Sequence, residues 1–296
     1  MKSFSQQTKE PLILAENHSP CCDRAELFGM LLFAGSISGS SIKLISESKL
    51  VADKFCTLLN KLFGYRGNTV KDGKYFAVYC NDLGVVAKCL YALRLSENNI
   101  KFRITPEVIE KDCCKKAFLR GAFLGGGTVI DPNKNYNMEF LTRYELLTED
   151  FLIFLSSLGF SFKKVRRKDS LVVYTKMSDT ICDVLTYLGA TLSYMEYINI
   201  KIEREVRSNL TRISNGETAN MDKVFTASAV HIDAINKIQQ TIGLEELPDE
   251  LFQLARLRLE NRDLSLGDLG ALLSPPLSKS GVNHRLKRIL AIAENL

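Results

Sequence analysis

A chain of 296 residues, 46% hydrophobic and 25% charged, has the composition of an ordinary folded protein and the length for one large or two ordinary domains. No run approaches the roughly 18 uninterrupted apolar residues of a membrane span, and the opening MKSFSQQTKE lacks an apolar signal core, so a cytoplasmic protein without a membrane partner is expected. The net charge of +5 is uneven: residues 1–205 carry 28 Lys plus Arg against 23 Asp plus Glu, whereas residues 206–296 carry 11 of each.

The first strong element begins at Cys21. CCDRAELFGMLLFAGSI is answered by CCKKAFLRGAFLGGGTV from Cys113, with Cys21, Cys22, Ala25, Leu27, Gly29 and Gly35 matched by Cys113, Cys114, Ala117, Leu119, Gly121 and Gly127. Both segments predict apolar helices, over 25–34 and 116–125. Glycine inside a helix costs about 1 kcal/mol relative to alanine, so Gly29 and Gly121 imply two helix backbones in close approach across a pseudo-twofold axis.

Each helix is followed by the same succession of patterns. Strands are expected at 42–45 and 75–79, then at 137–141 and 171–174, with Asp72-Gly73 marking a hairpin turn. Helical periodicity covers 49–63 and 149–158, closed by Gly64 and Gly159. Ala77, Val78 and Tyr79 correspond to Val172, Val173 and Tyr174 once a short insertion in the 131–137 turn is allowed for. A period this long exceeds that of solenoid repeats, roughly 20–50 residues, and indicates duplication inside one α+β domain, 1–205, with repeats at about 21–95 and 113–190 in an αββαββα order.

The chain has eight cysteines, but Cys21-Cys22 and Cys113-Cys114 are adjacent rather than spaced as in zinc knuckles. Neighbours on a helix point about 100° apart, so the pairs read as buried free thiols. His18, His231 and His284 add no metal site, and no cofactor is expected.

LRGAFLGGG at 119–127, with LFGMLLFAG at 27–35 as its first copy, resembles the LAGLIDADG homing-endonuclease fold over about 180 residues of this chain. The resemblance implies that an acid near each helix end would hold the catalytic metals. Ala34 and Gly126 stand at those positions. The residues argue the same way, because no carboxylate lies between Glu26 and Glu47 or between Asp112 and Asp131, which leaves magnesium without hard oxygen ligands there. The expected domain is therefore no enzyme. Its strand saddle carries Lys43, Arg66, Lys71, Lys74, Arg143 and the run Lys163, Lys164, Arg166, Arg167 and Lys168, which suits phosphates, a protein partner or solvent.

A polar stretch ending in Ser214-Asn215-Gly216 suggests a linker over 206–220. Val224, Phe225, Ile232, Ile235, Ile238 and Ile242 then recur at helical spacing and open an all-α domain over 221–296. Within it, about 247–290 reads as a helix-turn-helix. A helix over 247–259 begins at Pro248, Ser265 and Asp268 suggest a capping box, Pro275-Pro276 breaks the chain, and a last helix starts near Ser278. With Val282, Leu286 and Ile289 packed inward, Lys279, Ser280, Asn283, His284 and Lys287 face outward, and Arg285 and Arg288 suit phosphates. No acid occurs from Ser274 to Ile292.

The tail LRLENRDLSLGDLGALLSPPLSKSGVNHRLKRI, the doubled CC motifs, FLRGAFLGGG and Thr218-Ala219-Asn220 closely resemble the WhiA family of bacterial sporulation and cell-division regulators over essentially the whole chain. That resemblance implies a LAGLIDADG-like domain without cleavage activity, joined to a helix-turn-helix that reads double-stranded DNA at the nucleoid. It also implies transcription control linked to division, chromosome segregation or sporulation, with another transcription regulator or a division protein as a further partner. A metal-dependent endonuclease and a protein-interaction scaffold of the division machinery are the alternatives.

Overall fold

The computed structural model describes residues 2–95 and 102–296, which divide into two compact units, one running to Arg204 and the other Glu205–Leu296. The first opens with α1 (Phe4–Leu14), held at its start by a reciprocal Ser3–Gln6 capping box. Its first repeat comprises α2 (Pro20–Ala34), β1 (Gly35–Ile37), β2 (Ile42–Ser46), α3 (Lys49–Phe63), β3 (Val70–Asp72), β4 (Tyr75–Cys80) and α4 (Leu83–Ala92). The second comprises α5 (Asp112–Gly126), β5 (Gly127–Val129), β6 (Met138–Thr142), α6 (Glu145–Ser157), β7 (Lys163–Arg167), β8 (Ser170–Thr175) and α7 (Ser178–Leu188). The two sheets are antiparallel and identically ordered, β1-β2-β4-β3 and β5-β6-β8-β7, as duplication requires.

The sequence pattern missed β1 and β5, and gave β3 only as the arm of the Asp72-Gly73 hairpin; all three have three residues and too little length to display alternation. It missed β7 because every residue of that strand is exposed and Val165 is its single apolar residue, too few to display alternation.

The central helices meet as Gly29 and Gly121 demand. A Cβ at Gly29 would lie 2.3 Å from the Phe118 carbonyl oxygen, and one at Gly121 would lie 2.0 Å from that of Glu26. Only hydrogen fits at these crossings. Around them Phe28, Phe118, Phe123, Phe140 and Phe151 are fully buried, and Phe151 meets Phe33 and Phe140 edge-on at 4.7 and 4.9 Å.

One charged pair crosses this apolar seam. Arg120 of α5 reaches Glu26 of α2 at 2.8 Å, with Glu26 completely buried. Asn17 binds both sides, accepting from Arg120 at 2.5 Å and donating to Glu26 at 2.6 Å and to Asp23 at 3.0 Å.

The loop expected at Ser214-Asn215-Gly216 is helix. α8 (Thr191–Thr241) continues through 206–220 without a break. It contains no proline, and the lone Gly216 costs only about 1 kcal/mol, which the flanking helix formers outweigh.

The second unit packs α9 (Asp249–Glu260), α10 (Leu266–Ala271) and α11 (Lys279–Glu294) on Ile235 and Ile238, with Leu251, Leu254, Leu269, Val282, Leu286 and Ile289 in the core. Pro248 stands one residue before α9, as its N-cap. Arg258 is 1% exposed and has no carboxylate partner among the described residues; its guanidinium donates to the Leu264 carbonyl at 2.8 Å and to that of Asn261 at 3.4 Å, fastening the turn into α10. Nearby, burial and then the charge of Arg258 push the His231 imidazole below its ordinary 6.5. The unfolded chain therefore binds a proton that the folded one refuses, and stability is lost as pH falls from about 6.5 through the lower folded value. Acidifying from pH 7.5 to 5.5 should lower the melting temperature of the full chain, and His231→Leu should flatten that slope when it is followed by circular dichroism. Among the described residues, no helix is long and apolar enough to cross a membrane.

Candidate nucleic-acid interface

The last helix is positioned by a tight turn. Ser278 caps α11 by accepting from the Gly281 amide at 3.3 Å, and Ser265 caps α10 by accepting from that of Asp268. Only half of the capping box expected there forms, since the Ser265 hydroxyl donates to the Asp268 carboxylate at 2.7 Å. Between the helices the chain doubles back so closely that the Leu277 amide donates to the Gly270 carbonyl at 2.9 Å. A Cβ at Gly270 would lie 2.1 Å from the Leu277 carbonyl oxygen. Gly270 therefore sets the angle of α11, a role hidden in the sequence among the leucines of LGDLGALL. Gly270→Val should lower the melting temperature and weaken every DNA complex together, whereas Gly267→Ala, whose Cβ would meet nothing closer than 3.7 Å, should do neither.

The α11 face divides as its periodicity implies. Val282, Leu286 and Ile289 are buried, while Lys279, Ser280, Asn283, His284, Lys287 and Arg288 are exposed and Arg285 is half-buried. Two of these bases have partners. Glu250 at the start of α9 binds Arg285 at 3.2 Å and also Arg288. The Arg288 hydrogen bond, aided by Arg285 and His284, holds the Glu250 carboxyl below its usual range against the smaller opposing effect of desolvation. Lys279, Asn283 and Lys287 are left, with His284 nearer that carboxylate, as an outward polar row.

The saddle bases are arranged less favourably than their linear clustering suggests. Side chains alternate along a strand, so β7 sends Lys163, Val165 and Arg167 to one face and Lys164 and Arg166 to the other. On the helix side, Lys164 lies 3.5 Å from Glu145 and 3.4 Å from Glu149, and Arg166 lies 2.5 Å from Glu145. On the open face Arg167 binds Glu139 at 3.0 Å, and the middle of that face is apolar, with Leu141 48% and Val165 36% exposed. Lys168 stands in the β7–β8 turn with a positive φ of 52°. Elsewhere Lys74 pairs with Glu47 at 3.3 Å, and Lys43 lies 4.9 Å over the Tyr79 ring.

Ala34 and Gly126 are the last residues of α2 and α5 and bring no oxygen ligand. Gly126 has no room for one: its Cβ would lie 2.7 Å from the Leu141 carbonyl oxygen and 3.1 Å from Phe33 Cβ. A cation of the chain's own reaches the same helix end. Lys9 of α1 donates to the Leu124 carbonyl at 3.1 Å and lies 5.6 Å from the Phe123 ring centre. Burial pushes its ammonium down to about 8, with Glu47 opposing the shift. Nothing in the sequence pattern singled Lys9 out for this contact.

Comparison with known proteins agrees with both units. The WhiA LAGLIDADG-like domain matches residues 115–207, and the WhiA C-terminal HTH domain matches residues 210–293. A "Probable cell division protein WhiA" of Alkaliphilus metalliredigens is 36% identical, covering 99% of this chain and 98% of that one. One from Thermoanaerobacter pseudethanolicus is 37% identical over 99% and 98%. The crystal structure of full-length DUF199/WhiA from Thermatoga maritima covers 100% of this chain and 99% of its own, at 26% identity and a TM-score of 0.61. The chain belongs to the WhiA family.

Proposed function

We infer that this protein is a sequence-specific DNA-binding transcription regulator acting in cell division, chromosome segregation or sporulation, and that its LAGLIDADG-like unit does not cut DNA. The observation that carries the reading is the exposed row Lys279, Ser280, Asn283, His284 and Lys287 on the first turns of a capped helix. Asparagine and lysine can address base edges in a major groove, while lysine, serine and the flanking arginines can address phosphates, and no acid on α11 before Glu294 repels the polyanion. Fluorescence anisotropy with the full chain should give an affinity that falls steeply with salt, and Lys279→Ala with Lys287→Ala should shallow the slope by about one counterion per lost phosphate contact. A salt-independent affinity would contradict the reading.

Glu250 restrains the same surface. Freed of its competition, Arg285 and Arg288 become more available to phosphates, so Glu250→Gln should tighten binding to random DNA severalfold and steepen the salt slope. The saddle contributes little in this account, because three of its five clustered bases already have carboxylate partners. Exposed pairs of this kind are worth only about 0–1 kcal/mol each, so the apolar open face weighs more in the argument than the pairing itself. Lys163→Glu with Lys168→Glu should leave affinity within about twofold, the residual expected for peripheral screened charges. Supercoiled plasmid incubated with magnesium or manganese should stay uncut, since Gly126 cannot be replaced by a ligand without displacing Phe33. Nicking that a chelator abolishes would favour the endonuclease alternative.

A further inference from the structure

At the opposite end of the two central helices the duplicated cysteine pairs converge. The Sγ atoms of Cys21, Cys22, Cys113 and Cys114 all lie within 4.8 Å of one another. The expectation that adjacent cysteines do not share a metal is sound for one helix, but here two helices cross at Gly29 and Gly121 and each presents its own pair to the other. A tetrahedral tetrathiolate site with metal–sulfur bonds of about 2.3 Å has sulfur–sulfur edges of about 3.8 Å, so contraction by an ångström at most would close the cluster on an ion.

The four thiols share a position in their helices but differ in exposure. All four residues stand second and third in their helices, at the N-termini of α2 and α5, where unpaired amides concentrate positive potential. The Ser19 hydroxyl lies 3.0 Å from Cys21 Sγ. Cys22 and Cys114 are buried. Cys113 is exposed and Cys21 half-buried, giving an ion a path inward. Cys21 and Ala34 are 13 residues apart, or about 20 Å along the helix, so this cluster is remote from the helix ends where homing endonucleases would bind their catalytic metals.

We propose that Cys21, Cys22, Cys113 and Cys114 form a structural tetrathiolate site for a soft divalent cation, zinc first, which clamps the N-termini of α2 and α5. Each thiol that binds releases its proton, and four thiolates leave no open coordination position, so the ion holds the pseudo-twofold pair together and performs no hydrolysis. The site's soft sulfur donors exclude magnesium and calcium. The inference is independent of how α11 reads DNA.

The test uses the reduced, chelator-treated full chain under anaerobic conditions, titrated with cobalt(II) and then zinc. One equivalent of cobalt should produce the visible bands of a tetrahedral site and near-ultraviolet sulfur-to-cobalt charge transfer, both erased by one equivalent of zinc, and zinc should raise the melting temperature. Cys113→Ser alters the exposed member and should keep the circular dichroism spectrum while losing most of the charge-transfer intensity. Cys56→Ser with Cys89→Ser, outside the cluster, should retain the intensity. Absence of charge transfer in the unmodified chain at stoichiometric cobalt, or full intensity in Cys113→Ser, would overturn the proposal.

Discussion

Glu26→Ala is expected to destabilise the first unit by about 3–5 kcal/mol, the usual cost of removing one member of a buried ion pair. Glu26 is 0% exposed and lies between α2 and α5, where Arg120 is 2.8 Å away and Asn17 2.6 Å away. Its loss would leave Arg120, only 6% exposed, with Asn17 as its remaining hydrogen-bond acceptor. Lys54, 3.9 Å from Glu26, would lose its nearest buried carboxylate. Urea unfolding at neutral pH should show the midpoint falling without a change in slope. Replacing both members, Glu26→Leu with Arg120→Met, should recover much of the loss, because the uncompensated charge is then gone. A double variant no more stable than Glu26→Ala would mean that the pair contributes mainly through packing.

Asn283→Ala and His284→Ala should each weaken a specific DNA site by about 5- to 150-fold, corresponding to about 1–3 kcal/mol per base contact, while changing affinity for random DNA by less than about twofold. Both side chains are exposed on the first turns of α11, away from the buried Val282 and Leu286, so the substitutions leave the core intact. Arg288→Ala provides the contrast. Arg288 lies a full turn further along and suits a phosphate rather than a base edge, so its loss should weaken specific and random DNA alike. Equal losses on both kinds of DNA for Asn283→Ala would remove base reading from this helix.

Much of this architecture is legible in the chain because duplication writes each element twice. The α2 and α5 helices, their glycines and the α3 helix closed by Gly64 follow from periodicity and matched motifs. The tail was readable for a different reason: Ser278 and Ser265 cap their helices by local chemistry that needs no tertiary context. What was hidden depends on contacts distant in sequence. Arg120 meets Glu26 across 94 residues, and each lies in a helix whose other positions read simply as apolar. Counting bases along β7 overstated the saddle charge, because strand alternation and the acids of α6 intervene. The four cysteines looked unsuited to a common ligand until the helix crossing brought two adjacent pairs together. Ser214-Asn215-Gly216 carried a real turn preference, but one that a long proline-free helix overrides.

The two ends of the α2–α5 pair have thus diverged. At one end Ala34 and Gly126 bring no ligand and Lys9 reaches the α5 terminus, while the cysteine end retains four convergent donors. In the function proposed above, this domain holds its shape without cutting DNA, and recognition falls to α11.

Selection of bound sequences from a random double-stranded DNA library by the purified full chain tests that division of labour most directly. Successive rounds should converge on one short motif, and the same selection with the combined Asn283→Ala and His284→Ala variant should fail to enrich it. Recovery of an unenriched pool by the unmodified chain, or of the same motif by the variant, would contradict the account.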